Sequence, residues 1–133
     1  MILAFLGAAV LAGGLGWLRL SWLVVTVTGP SMQPTMHPGD RILVRRTSAS
    51  RIRAGQIVVF DADPGLIIKR VAAVPGDRVP PGLPLDVEER VPPGRLLLLG
   101  DNCGRSIDSR QHGYYDGACL VGVAVRSLAR RRT

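Results

Sequence analysis

The sequence predicts a mainly β fold, small and antiparallel, preceded by one N-terminal transmembrane helix, and three observations predict it. Glycine and proline number 16 and 10 in 133 residues, which disfavours long helices and suits short strands joined by turns. Hydrophobic residues make up 47% of the chain, too much for a disordered polymer. The first eighteen residues, MILAFLGAAVLAGGLGWL, hold no charged side chain. The length is about one domain's worth, so any chemistry has to come from one small core.

At about 1.5 Å per residue the uncharged run spans roughly 27 Å, close to the hydrocarbon thickness of a bilayer. Trp17, Arg19 and Trp22 follow at its end, as interfacial aromatics and a snorkelling cation do. Residues 1–22 are therefore read as a membrane anchor and residues 23–133 as the folded domain. A cleaved signal peptide would want a basic stretch before the apolar run, and only the terminal amine stands there. The positive-inside rule, applied to Arg19, Arg41, Arg45 and Arg46, places the domain after the anchor in the cytoplasm.

After Thr28 short apolar runs alternate with Pro-Gly, Gly-Asp and Asp-Pro-Gly, the signature of strands and turns. Strands are expected near Leu23 to Thr28, Arg41 to Arg45, Gln56 to Phe60, Leu66 to Val74, Arg95 to Leu99 and Leu120 to Val125. The stretch VPPGLPLDVEERVPPG, from Val79 to Gly94, is turn-rich and reads as a surface excursion. No internal repeat is visible.

Basic residues number 17 against 10 acidic, for a net charge of +7, and sixteen of the seventeen are Arg. They are spread along the chain, with only a short run at Arg130, Arg131 and Arg132, so no nucleic-acid partner is expected. The single lysine is Lys69. Composition bias accounts for the sixteen arginines and leaves the one exception open; a position that must lose its proton would need it, because a guanidinium cannot.

Ser31 lies in TGPSMQPTMHPGDRILV, where Gly29 and Pro30 turn the chain after a strand and present the next side chain at its edge. A serine nucleophile needs a base. Lys69, in GLIIKRVAAVPGDRV, shares a strand face with Ile67, Val71 and Ala73, while Arg70 points the other way with Ile68 and Ala72. An unperturbed lysine, with pKa near 10.4, is neutral in fewer than about one molecule in a thousand at pH 7, and burial among aliphatic side chains brings that value down by roughly 3 to 5. The bland alternatives are an ordinary turn serine and a snorkelling surface lysine.

The third segment, LLLLGDNCGRSIDSRQHG from Leu96 to Gly113, runs an apolar strand into a loop dense with polar residues. Asp108 and Arg110 can pair, Asp101 and Asn102 can close an Asx turn, and the Ser106 hydroxyl can hold the Lys69 amine in register. His37 with Asp40, or His112 with Asp108, lacks the spacing of a Ser-His-Asp triad. Two His and two Cys without a ligand cluster argue against zinc or any other metal. Cys103 and Cys119 either close a disulfide over the polar loop or remain free, partly buried thiols.

Taken in order, these segments resemble the type I signal peptidase family, the S26 class of Ser-Lys serine proteases. GPSMQPT with PGDRILV resembles the nucleophile segment, GQIVVF the strand after it, IKRVAAVPGDRV the lysine segment and GDNCGRSIDSR the last signature. The resemblance implies a signal-peptidase-like β-fold, with Ser31 as nucleophile, Lys69 as general base and Ser106 as the hydroxyl that orients the lysine. It also implies an Asp108–Arg110 ion pair beneath the site, Met32 at the border of the substrate pocket and no cofactor. Gly29 stands where some members carry a second, hydroxyl oxyanion donor. Its partners would be exported precursor proteins and membrane lipid, with the catalytic domain outside the cytoplasm, against the charge count. A dedicated maturation protease would look much the same. A self-cleaving repressor would need a DNA-binding helical domain in place of the anchor, and a silent membrane-tethered binding module would retain the motifs only for the fold.

Overall fold

The computed structural model describes residues 13–83 and 89–128. Residues 13–21 are helical, and the chain then enters a seven-stranded sheet. The strands are β1 (Trp22–Thr26), β2 (Arg41–Arg46), β3 (Ile57–Asp61), β4 (Leu66–Ala73), β5 (Arg95–Leu99), β6 (Tyr115–Asp116) and β7 (Leu120–Leu128). Every pairing is antiparallel, in the order β1-β2-β7-β3-β4-β5-β6. The mainly β expectation holds. The anchor expectation falls largely on residues 1–12, outside the described residues; among the described residues no helix is long and apolar enough to cross a membrane. Trp22, assigned to the anchor's end, instead opens β1 and pairs with Arg45.

The register shifts at Leu43/Val44, Val59/Phe60 and Val71/Ala73, and such bulges increase the twist of a sheet. The sheet coils far enough that β1 and the start of β4, with three strands between them in the order, line one cavity. Alternation along β3 divides the core. Val59 packs with Val25, Val27, Ile42, Val44 and Ile68 on one face, whereas Val58 and Phe60 pack with Val71, Leu96, Leu98 and Val123 on the other. Because both faces are covered, the central strands read as continuous apolar runs.

β7 occupies the middle of the order, between β2 and β3. At Gly122 the approach is too close for a side chain: a Cβ would collide with the Arg45 carbonyl and lie 2.8 Å from Val44 Cγ1. The Val79–Gly94 stretch is less superficial than its composition predicts. Val91 is buried against Ala73 and Leu97, and Arg78 bridges to Arg90, so paired backbone carries part of the excursion into the core. Residues 84–88 lie outside the described residues.

Candidate active site

β1 delivers the chain to a turn over residues 29–36, and Met32 and Met36 anchor it, both buried in the β1–β2 core. The turn is tied by the Met36 amide donating to the Met32 carbonyl at 2.9 Å. Ser31 sits at its start, half-buried. Opposite, Lys69 lies on β4 across from Val58, and only 5% of it is exposed. Ser31, Lys69, Gly29 and Met32 line one cavity of about 400 Å³. The Lys69 amine bonds to Ser106 and not to the Ser31 hydroxyl; Ser31 and Lys69 face the same space.

The loop after β5 supplies the lysine's partner. Lys69 Nζ donates to Ser106 Oγ at 3.0 Å, and Ser106 Oγ donates in turn to Asp108 Oδ2 at 2.7 Å. A hydroxyl has one proton. With that proton directed at Asp108, Ser106 shows Lys69 only lone pairs, so the amine must spend an N–H on it, and the lone pair of a neutral amine is left for the cavity.

Asp108 is wholly buried and fully engaged. It caps the helical turn Ser109–His112 through the Arg110 amide, while Gln111 reaches back to the Asp108 amide, a reciprocal cap written in the sequence as D-x-x-Q. Its oxygens also accept from the Gly100 amide at 2.8 Å and from Arg110 Nε and Nη2 at 2.9 and 2.5 Å. Burial alone would raise this carboxyl, but the donors of Arg110, Gly100 and Ser106 hold it well below the ordinary carboxylate range. Its hydrogen bond to Asp108, and after that one to Cys103, raises the Arg110 guanidinium. Burial lowers the Lys69 amine from its ordinary 10.5; the Asp108 carboxylate opposes that shift and the Arg110 charge adds to it.

Backbone contacts fix the two loops to each other. The Asn102 amide donates to the Ser31 carbonyl at 2.9 Å, and Asn102 Nδ2 to the Pro30 carbonyl at 3.1 Å. Gly100 sits at the seam, where a Cβ would strike Ser106 Oγ and come within 2.7 Å of the Ser31 carbonyl. The Asx turn expected at Asp101 and Asn102 is not what forms. Asp101 instead accepts from Arg70 Nε and Nη2 at 2.9 and 2.7 Å and from Thr35 Oγ1 at 2.6 Å, because a charged bidentate partner outcompetes a local neutral bond. Hydrogen bonds from Arg70 lower the Asp101 carboxyl. Sequence reasoning missed this clamp. The signal available was that Arg70 points opposite to Lys69 and needs an acid, but nothing local names one 31 residues away.

The remaining candidates lie elsewhere. His37 contributes its main-chain N–H to Asp40 at 2.8 Å, and His112 packs its ring against Tyr115 with centroids 6.2 Å apart. Among the described residues no three His, Cys, Asp or Glu side chains gather to hold a metal. Cys103 and Cys119 are free and exposed, so the disulfide alternative does not hold here and the thiols are not partly buried.

Compared with known proteins, the chain matches the family described as signal peptidase, peptidase S26, over residues 1–81 and 82–128. It is 38% identical over 98 residues to mitochondrial inner membrane protease subunit 1 of Mus musculus, covering 68% of this chain and 59% of that protein. To signal peptidase I of Bacillus licheniformis it is 30% identical over 133 aligned positions, covering 74% and 72%. To signal peptidase I of Leptolyngbya laminosa it is 31% identical, covering 74% and 64%. The chain thus spans about three fifths of the mouse relative's length.

Proposed function

Because the chain belongs to the S26 signal peptidase family, we propose that it is a membrane-anchored serine endopeptidase that removes signal peptides or leader segments from exported precursors through a Ser31–Lys69 dyad. The segment before β1 anchors it, and the domain from Trp22 on carries catalysis outside the cytoplasm. The exposed Leu15, Trp17, Leu18 and Leu20 suit contact with lipid. The observation that carries the reading is the enclosed Lys69 amine, hydrogen-bonded to Ser106 and lining the same cavity as Ser31.

In this mechanism neutral Lys69 takes the Ser31 proton as Oγ attacks the scissile carbonyl. The Ser31 backbone N–H steadies the oxyanion. Lys69 then gives the proton to the leaving amine, and water hydrolyses the resulting ester by the same route. Ser106 aims the lysine, and the Asp108–Arg110 pair aims Ser106. Gly29 and Met32 border the space for the residues before the cut. With Gly29 in the place of a hydroxyl donor, the second oxyanion contact is missing or comes from another group. A donor that is the sole provider at its position is worth roughly 3 to 4 kcal/mol in the transition state.

The test is cleavage of a precursor with an Ala-x-Ala site by the purified full-length chain in detergent. Wild type is expected to cut and Ser31→Ala and Lys69→Arg to lose activity, the latter because a guanidinium stays charged. Cleavage that survives Ser31→Ala overturns the dyad.

A further inference from the structure

A second cavity, of about 560 Å³, opens between β3, β4 and the loop that carries Ser106. Its floor is Phe60 and Ile67, which are cross-strand partners; the pair two residues along is Val58 with Lys69. Two residues along a strand are roughly 7 Å, on the same face. The face on which Lys69 stands therefore leads directly into this cavity. Its rim is Ile107, which sits between Ser106 and Asp108 in the chain and is 67% exposed. Tyr115 closes the far wall, its ring edge-on to Phe60 at 5.7 Å. Ile67 also lines the cavity of Ser31, so the two spaces share a wall at Ile67, two residues along the strand from the lysine.

An isoleucine so exposed, in a loop whose flanking residues are both buried, has no packing role that explains it. Resting on the peptidase reading, the order of events does. The residues before the cut occupy the Ser31 cavity beside Gly29 and Met32, and Lys69 must hand its proton to the leaving amine. That amine therefore lies at Lys69, beside the Ser106–Asp108 loop that holds the lysine, and the segment it begins passes Ile107 in that loop. We infer that the Phe60–Ile67–Ile107 cavity receives the first one or two residues after the scissile bond and favours an apolar or aromatic side chain there.

The experiment uses two peptide series with the same Ala-x-Ala segment before the cut and Gly or Leu in the first two positions after it, cleaved by the full-length chain in detergent. Wild type is expected to favour Leu over Gly by about 10-fold in kcat/KM, the range of a modest apolar pocket. Ile107→Ser, at an exposed position that leaves the fold intact, is expected to bring that ratio towards one, and Ile107→Val to leave most of it. A merely structural role would lower both series by the same factor. Equal cleavage of both series by wild type, or an unchanged ratio in Ile107→Ser, overturns the subsite while leaving the peptidase reading intact. A folded wild type that cuts neither series overturns both.

Discussion

Asp108 holds five donors on two oxygens with no water contact, and through Ser106 that order reaches the lysine. Ser106→Ala removes the acceptor that fixes the amine. It is expected to lower kcat by about 10² or more with little change in KM, and Ser106→Thr to restore much of it. On the proposed dyad Lys69 acts as a neutral base, so kcat/KM is expected to rise with pH as it loses its proton, along a limb placed below the ordinary lysine value because burial lowers it. A pH–rate profile of wild type checks this, and a limb at or above 10.5 would remove the buried base. Gly100→Ala puts a methyl group between Ser106 and the Ser31 carbonyl. The expected result is a kcat loss of more than about 10-fold and a stability loss of about 1–3 kcal/mol, read by peptide cleavage and urea titration. The turn that bears Ser31 and the apolar strand face that buries Lys69 are legible because each has a local signature: turn residues at a strand's end, and one titratable amine among guanidinium groups on an apolar face. Asp101 was not legible, since its partners Arg70 and Thr35 are 31 and 66 residues away and only the coiled sheet brings them together.

Strand by strand, period-two apolar runs bounded by turn residues place β2, β4 and β5 almost to the residue. β6 escapes that reading because two residues, Tyr115–Asp116, are too few to show any alternation. β7 runs on to Leu128, beyond the expected Val125, because its end pairs with Arg41 and Ile42, and a distant partner leaves no mark on the local composition. Order within the sheet is likewise unwritten, as alternation fixes faces and not neighbours. The Gly122 contact tests the β2–β7 seam alone. Gly122→Ala is expected to cost about 1–3 kcal/mol in urea denaturation without altering the Leu-over-Gly preference of the folded fraction. An Ala variant as stable as wild type would mean the strands part readily there.

Across the whole molecule, the carboxylates set the acid limit. Asp108 and Asp101 both titrate lower in the folded chain than their ordinary 3.8. The stability they contribute is complete above the unfolded value and is lost as pH falls through the folded one. Urea midpoints are therefore expected to be flat from neutral pH to about 5 and to drop below about 4. Asp108→Asn should lower stability at pH 7 by about 3 kcal/mol, because it leaves Arg110 without its charge partner, and should flatten the acid decline. An Asn variant with wild-type midpoints at both pH values would show that the ion pair contributes nothing.

The position of β7 between β2 and β3 also orders events in time. A chain emerges from the ribosome amino end first and folds as it appears, so the β1–β2 and β3–β4 pairs are available long before the strand that joins them. The loop at 100–110 that grips Ser31 also arrives late. Until Leu120–Leu128 has been synthesised, the strand pair that leads to the Ser31 turn and the pair that bears Lys69 lack the strand that joins them in the sheet. On the proposed reading, a nascent chain therefore lacks the complete Ser31–Lys69 site, and with it any means of cutting a neighbour or itself, until this strand has been made.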